Sequence, residues 1–369
     1  MAHTLQERYS DLVLAKLRSE LVLSDGFVFN NDYEGDPTAG AVKIPQRDTE
    51  VTVSDYDKAN GISASSGATS YVTLPITKDK CVNEIIDGYD AEGVPDNLVA
   101  DRLDSAGYSL AKQVDFDGAS ALLTGGTTVG IGALTKDNIY NAIVDIRTAM
   151  SKANVPNDGR RFLLVTPDTF ALILKSPEFI SASDLGDDVK QNGILGKIAG
   201  FLVKEWNDST ANLAMIAGHP RFATRVNEWD VPVHIQDLSG SGKYIGASAV
   251  QGRLVYDHKV LRAAAVRCIF APDSLELTTA VGTSTAGDTK VTATVLTAGD
   301  TLAYKKNPTE RCAYGTATAT YSGTSMTSGT AKVISSCSVG DVIEVVEFDS
   351  SGNAVAVGYV TLTAEDIKA

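Results

Sequence analysis

The 369-residue sequence predicts an α+β protein followed by an all-β sandwich domain. Three observations carry that prediction. Residues 41–85 alternate apolar and polar side chains in several runs, the pattern of a long two-stranded ribbon. From about residue 94 to 270, helical and strand segments follow one another without regular βαβ alternation, which excludes a doubly wound sheet. After Pro272 the composition shifts to threonine, serine, alanine, valine and glycine, and tryptophan disappears.

Taken in order, residues 1–40 form an N-terminal arm. Leu5, Tyr9, Leu12, Leu14 and Leu17 recur at roughly helical spacing over residues 4–22, and Thr4 with Glu7 resembles a capping box. The segment has few apolar positions for its length, so it is expected to pack on something outside its own domain. Residues 41–85 follow as an extended hairpin loop: A-V-K-I-P, T-E-V-T-V-S, Y-V-T-L-P-I-T and C-V-N-E-I alternate around a polar, glycine-containing tip. A strand of ~12 residues reaches ~40 Å. A lone hairpin is marginally stable in water, so its natural support is a neighbouring subunit.

A long helix is expected over 94–124, with Pro95 in its first turn and Gly125-Gly126 at its end. Val99, Leu103, Ala106, Leu110 and Val114 form its apolar stripe. Gly107 and Gly118 each weaken it by about 1 kcal/mol relative to alanine, so packing must hold it. Ile139, Ile143, Ile146 and Met150 mark a second helix over 136–152. R-R-F-L-L-V-T-P then reads as a buried strand stopped by Pro167, and P-D-T-F-A-L-I-L-K-S-P as a short helix between prolines.

The stretch N-G-I-L-G-K-I-A-G-F-L-V-K-E-W-N (192–207) places Gly193, Gly196, Gly200 and Lys197 beside an apolar run, as a phosphate loop does. The order is wrong for one, because the glycines precede a strand instead of linking a strand to a helix. Ile198 also stands where the phosphate-loop motif needs Ser or Thr. A turn feeding a strand explains these glycines better. Residues 208–271 continue in short strands. Residues 272–369 contain V-T-A-T-V-L, G-T-A-K-V-I, D-V-I-E-V-V-E-F and A-V-A-V-G-Y-V-T-L-T between turn signals, a separate sandwich of immunoglobulin-like architecture.

Composition removes several function classes. With 46 acidic against 32 basic residues, the net charge of -14 disfavours nonspecific nucleic-acid binding. No apolar run approaches the ~20 residues of a membrane-spanning helix, and the polar N-terminus lacks a secretory layout. Cys81, Cys268, Cys312 and Cys337 form no C-x-x-C pair and are expected as small buried thiols, although Cys312 and Cys337 share one β domain. His3, His219, His234 and His258 make no H-x-x-x-H motif, and no G-x-S-x-G elbow occurs. Asp96, Asp101, Asp104, Asp115 and Asp117 read as a solvated helix face, not a catalytic pair. D-Y-D-K-A-N-G at 55–61 lacks calcium-loop spacing. The expectation is a non-enzyme with no catalytic residue, cofactor site or metal ligand.

The order of parts, arm, ribbon, long helix and mixed α/β region, resembles the major capsid protein of tailed bacteriophages, with the HK97-like fold. Val165, Thr166, Pro167, Phe170, Ile198, Gly200, Phe201 and Val203 carry the resemblance, which covers roughly residues 1–271. It implies that the ribbon is an extended loop lying across the adjacent subunit. The 94–124 helix would be the spine of a peripheral domain at 86–207, and 208–271 an axial domain with the return strand. It further implies self-assembly into hexamers and pentamers that close an icosahedral shell around DNA, without sequence-specific or membrane binding. The product would be a virion, assembled in the host cytoplasm with a portal and a separate scaffolding protein. Some members crosslink a lysine to an asparagine; Lys58 near the ribbon tip makes this conceivable, but neither the asparagine nor an activating acid is identifiable, and a crosslink is not predicted. The 272–369 domain departs from the minimal pattern and is expected to project from the outer surface. The alternatives are an encapsulin-type nanocompartment shell, an α+β enzyme with an accessory β-sandwich, and a cell-surface adhesin, the last opposed by missing export signals.

Overall fold

The computed structural model describes residues 18, 21–23, 27–46, 50–51, 53–62, 69–93, 98–177 and 196–369. The helix expected over 4–22, the helix start at 94–97, and His3, Asp96 and Gly193 lie outside these. In chain order the elements are β1 (Ala41–Gln46), β2 (Ser70–Pro75), β3 (Lys78–Asp87), α1 (Gly88–Gly93), α2 (Leu98–Gly125), β4 (Thr127–Gly130), α3 (Ile139–Lys152), β5 (Phe162–Val165), α4 (Pro167–Leu174), β6 (Lys197–Ile198), β7 (Phe201–Glu205) and β8 (Leu213–Gly218). They continue with β9 (Ala223–Asp237), β10 (Ala247–Val260), β11 (Val266–Phe270), β12 (Asp273–Ser274), β13 (Leu277–Val281), β14 (Thr289–Ala293), β15 (Thr301–Lys306), α5 (Thr318–Tyr321), β16 (Thr324–Met326), β17 (Lys332–Ile334), β18 (Val342–Phe348) and β19 (Ala354–Thr361).

The chain forms two compact units, one from residues up to 126 with 219–266, the other from 127–218 with 267–369. In the first, β3, β10 and β9 make an antiparallel sheet in that order. The apolar stripe of α2 packs on it: Val99, Leu103 and Ala106 meet Val82, Ile86, Val233 and Val250. Gly252 permits the close fit, since a Cβ there would lie 2.9 Å from Val233 Cγ2 and 3.2 Å from Leu110 Cδ1. β1 and β2 pair antiparallel from Ala41 opposite Pro75 to Gln46 opposite Ser70. The ribbon is therefore shorter than the predicted 41–85. β3 leaves it and pairs with β10 over its whole length, redirected where Thr77 N–H and Oγ1 donate to Asp257 Oδ2 at 3.0 and 2.8 Å.

In the second unit, a six-stranded sheet runs β4-β11-β8-β5-β7-β6. β5 and β8 are buried at every residue and form its centre. Both α3 and α4 belong to this unit, and Ile139, Ile143, Ile146 and Met150 are buried as the stripe predicts. This sheet corrects the boundary expected between residues 207 and 208. β7 and β8 both flank β5, so no domain break falls between them; the breaks fall near 126, 218 and 266. Strand pairing across distant sequence decides this, and local periodicity cannot report it.

Residues beyond 272 form a five-stranded sheet, β12-β19-β18-β15-β16, and a three-stranded one, β13-β14-β17. Val291, Ala293 and Ile334 of the smaller sheet share one core with Leu302, Ile343, Val345 and Ala356 of the larger. The all-β reading holds, but the domain belongs to the second compact unit and does not stand apart as a third.

Candidate assembly surface

The root of the ribbon is fixed by burial. Ile44 and Leu74, diagonal neighbours in the ribbon, pack with Val226, Tyr33, Ile76 and Leu261. Gln46 Nε2 adds a 2.8 Å hydrogen bond to the Leu261 carbonyl. Beyond Gln46 the chemistry reverses. Val51, Val53, Tyr56 and Ile62 are 85%, 95%, 71% and 56% exposed, an apolar group with no cover from its own chain among the described residues. Large apolar side chains left open in one segment are available to another molecule.

The outer end has defined geometry. Asp57 Oδ1 accepts from Ala59 N–H at 2.8 Å and Oδ2 from Asn60 Nδ2 at 2.6 Å. Gly61 N–H closes the turn on the Asp57 carbonyl at 2.8 Å, with Gly61 at φ +68°. These bonds, the Ala59 amide first, hold the Asp57 carboxyl below its ordinary pKa. Lys58 lies exposed within this turn.

The arm is held along α2. Asp115 Oδ2 accepts from the backbone N–H groups of Val22 and Leu23 at 3.0 and 3.2 Å. Arg18 pairs with Asp104 and lies 4.7 Å over the Tyr108 ring. Two of the five acidic residues assigned to a solvated helix face are thereby corrected: Asp115 and Asp117 are buried. Asp117 takes a 2.8 Å hydrogen bond from the Tyr256 hydroxyl and lies 3.4 Å from Lys78 Nζ. Burial alone would raise its pKa, but the hydrogen bonds from Tyr256 and Gln113 and the Lys78 charge together lower it.

The remaining sequence candidates separate in space. His258 is buried, 4.7 Å from the Phe29 ring and 5.5 Å from that of Tyr256. Burial, then the Arg225 charge, pushes its pKa down to about 4. His219 Nδ1 accepts from Arg221 N–H at 3.2 Å, shaping a loop, and His234 is exposed on β9. All four cysteines are free thiols; Cys81 is exposed, against the expectation of burial, and Cys312 and Cys337 sit in different core clusters. Among the described residues no group of three or more His, Cys, Asp or Glu could hold a metal ion. Ala199 and Gly200, both at positive φ, link β6 to β7 as a two-residue hairpin, so Gly200 and Lys197 build a turn. Thr166 precedes α4 in extended conformation with Pro167 in the first turn. The exposed Val51 and Val53 had a sequence signal in T-E-V-T-V-S. The two buried aspartates had none, because their partners come from residues 22–23 and 256.

A model of the phage capsid protein family matches residues 85–269, half of the chain. No curated protein sequence matches. Among solved structures, one from Mycobacterium phage Che8 is 25% identical with a TM-score of 0.60, covering 72% of this chain and 96% of that one. A capsid structure of the cyanophage P-SCSP1u is 14% identical at TM-score 0.60, covering 72% and 92%. The mature capsid of bacteriophage PhiM1 is 12% identical at TM-score 0.58, covering 73% and 92%; these last two are similar in fold. The family match ends before the C-terminal β domain begins.

Proposed function

The chain belongs to the phage capsid protein family, and on that premise we propose that its copies interlock through the ribbon, each laying the outer part beyond its buried root across the next subunit. It is a major capsid protein of the tailed-phage type, a structural protein with the HK97-like fold. One observation carries the interlocking: the ribbon has a buried root, and its polar outer part leaves Val51, Val53, Tyr56 and Ile62 uncovered. Full burial of a large apolar side chain contributes about 1.5–3 kcal/mol, repeated at every subunit of a shell.

In this reading the unit containing α2 acts as the peripheral domain and the six-stranded sheet with α3 and α4 as the axial domain near capsomer centres. Hexamers and pentamers close the shell around DNA without sequence-specific contact, consistent with a net charge of -14. A separate scaffolding protein and a portal take part in assembly in the host cytoplasm, and the C-terminal β domain projects from the outer surface. The family match is to phage capsid proteins, and no observation favours a nanocompartment or an enzyme.

The test is negative-stain electron microscopy with light-scattering mass on the wild-type chain and on Val53→Asp with Tyr56→Asp. Closed shells, tubes or capsomer rings are expected from the wild type, and unassembled subunits from the ribbon variant. A wild-type chain that stays a compact monomer or dimer with scaffold supplied overturns shell building. A ribbon variant that assembles normally overturns interlocking alone.

A further inference from the structure

We propose that a cleft in the C-terminal β domain binds an acidic saccharide, with Lys305 and Arg311 holding its anionic groups. The cleft has a volume of 770 Å³ and is lined by Lys305, Lys306, Arg311, Thr309, Thr316 and Thr320, among others. Small-molecule sites span about 300–1,000 Å³. Three of the six basic residues beyond residue 272 meet in this one place, in a chain of net charge -14.

The cleft is built on one row of the five-stranded sheet. Lys305 of β15 stands opposite Glu344 of β18, and Glu344 opposite Tyr359 of β19, so the three side chains share a face. The loop that follows β15 is tied down along its length. Asn307 Nδ2 donates to Asp341 Oδ1 at 2.8 Å, and Asn307 Oδ1 accepts from the Val342 N–H at 2.7 Å. Buried Glu344 accepts from the Cys312 N–H at 3.0 Å, and the Gly315 N–H donates to the Ala354 carbonyl at 2.9 Å. The walls therefore stand before any ligand enters.

The two cations are placed but unpaired. Lys305 Nζ lies 4.5 Å from the centroid of the Tyr321 ring, and the Arg311 guanidinium 4.4 Å from that of Tyr359. Contacts of this kind fix where a long side chain holds its charge. Among the described residues, neither cation has a carboxylate within ion-pair distance. Lys306 is different, because its Nζ donates to the Ser336 carbonyl at 2.7 Å and lies 3.8 Å from Asp341. Glu310 is the one carboxylate that lines the cleft; it opposes an anion, against two unpaired cations.

The lining also selects the body of the ligand. A lone sulfate or phosphate fills a small part of 770 Å³, so the anionic groups sit on a larger molecule. No leucine, isoleucine, valine or phenylalanine lines the cleft, which disfavours an apolar ligand. Thr309, Thr316 and Thr320 bring hydroxyls that both donate and accept, as sugar hydroxyls require. Stacked nucleic-acid bases need an open aromatic face, but Tyr321 is buried and Tyr359 does not line the cleft. The site lies outside the family match at 85–269, so the inference goes beyond the shell reading and stands without it.

Isothermal titration calorimetry on the full-length chain tests it, with trigalacturonate, neutral maltotriose, sodium sulfate and an oligothymidylate as probes. The wild type is expected to bind trigalacturonate, more weakly as salt rises, and to leave maltotriose unbound. Lys305→Gln with Arg311→Gln removes both charges and is expected to weaken binding at least tenfold. Lys290→Gln with Lys332→Gln removes the same charge from the smaller sheet and is expected to bind as the wild type does. If the first variant does not fold, Arg311→Gln alone, at an exposed side chain, must still weaken binding. A wild type that does not bind trigalacturonate, that binds maltotriose or sulfate equally well, or that prefers the oligothymidylate overturns the proposal. Equal loss in the control variant overturns it too.

Discussion

The Tyr256 hydroxyl donates a 2.8 Å hydrogen bond to Asp117 Oδ2 where α2 packs on β10. Lys78 Nζ lies 3.4 Å from the other carboxylate oxygen. The carboxylate thus serves two groups from two strands of the sheet. Asp117→Ala leaves a buried hydroxyl and an ammonium without their acceptor, at a cost of about 3 kcal/mol. Urea unfolding of the unassembled chain should show this. Tyr256→Phe should cost about 1 kcal/mol, and a double-mutant cycle should give a coupling energy well above zero.

Asp115 fastens the arm to α2 through the amides of Val22 and Leu23. Asp115→Ala is expected to raise hydrogen exchange at those two amides at least tenfold while leaving the α2 amides protected. Equal loss of protection along α2 would show that Asp115 supports the helix as a whole and not the arm.

His258 makes stability pH-dependent. Its folded pKa of about 4 lies below the ordinary value of 6.5, so the neutral ring is the form that the fold accepts. The groups facing it are Arg225, Asp257, Asp117 and Lys78. The unfolded chain binds a proton at this site below pH ~6.5, and the folded chain only below about 4. Its contribution is complete above the unfolded pKa and is lost as pH falls through that window, amounting to about 3 kcal/mol. Unfolding free energies measured from pH 7 to 4 should fall with the slope of one proton, and His258→Gln should flatten that part of the curve. An unchanged slope in the variant would assign the dependence elsewhere.

Gly218 ends β8 where a Cβ would lie 2.3 Å from Phe162 Cζ. Gly218→Ala should therefore destabilise the second unit by about 1–3 kcal/mol through overpacking. Phe162→Leu in the same chain should recover part of that loss, read as a shift in the urea midpoint. Additive losses would show that the ring is not the obstacle.

Periodicity made much of the architecture readable. The α3 stripe, the α2 stripe, the buried run F-L-L-V and the alternating runs of the sandwich all report a face relative to their own backbone, which is a local property. The exposed Val51 and Val53 of the ribbon were readable for the same reason, as alternation without a core to serve. The pairing partners were not. β4 joins β11, 140 residues away at each paired position, and the sheet built mostly by residues 127–218 includes that distant strand.

The sequence by itself determined the helical stripes of α2 and α3, the buried strand at 162–165 and the β-rich character beyond residue 272, because spacing and turn chemistry act over a few residues. Only the tertiary structure decided where the two units divide, that Asp115 and Asp117 lie buried, and that Gly130 yields its space to the Tyr314 carbonyl. Each of those outcomes joins residues 90 or more positions apart, so burial and hydrogen-bond partners exist only after the chain has folded.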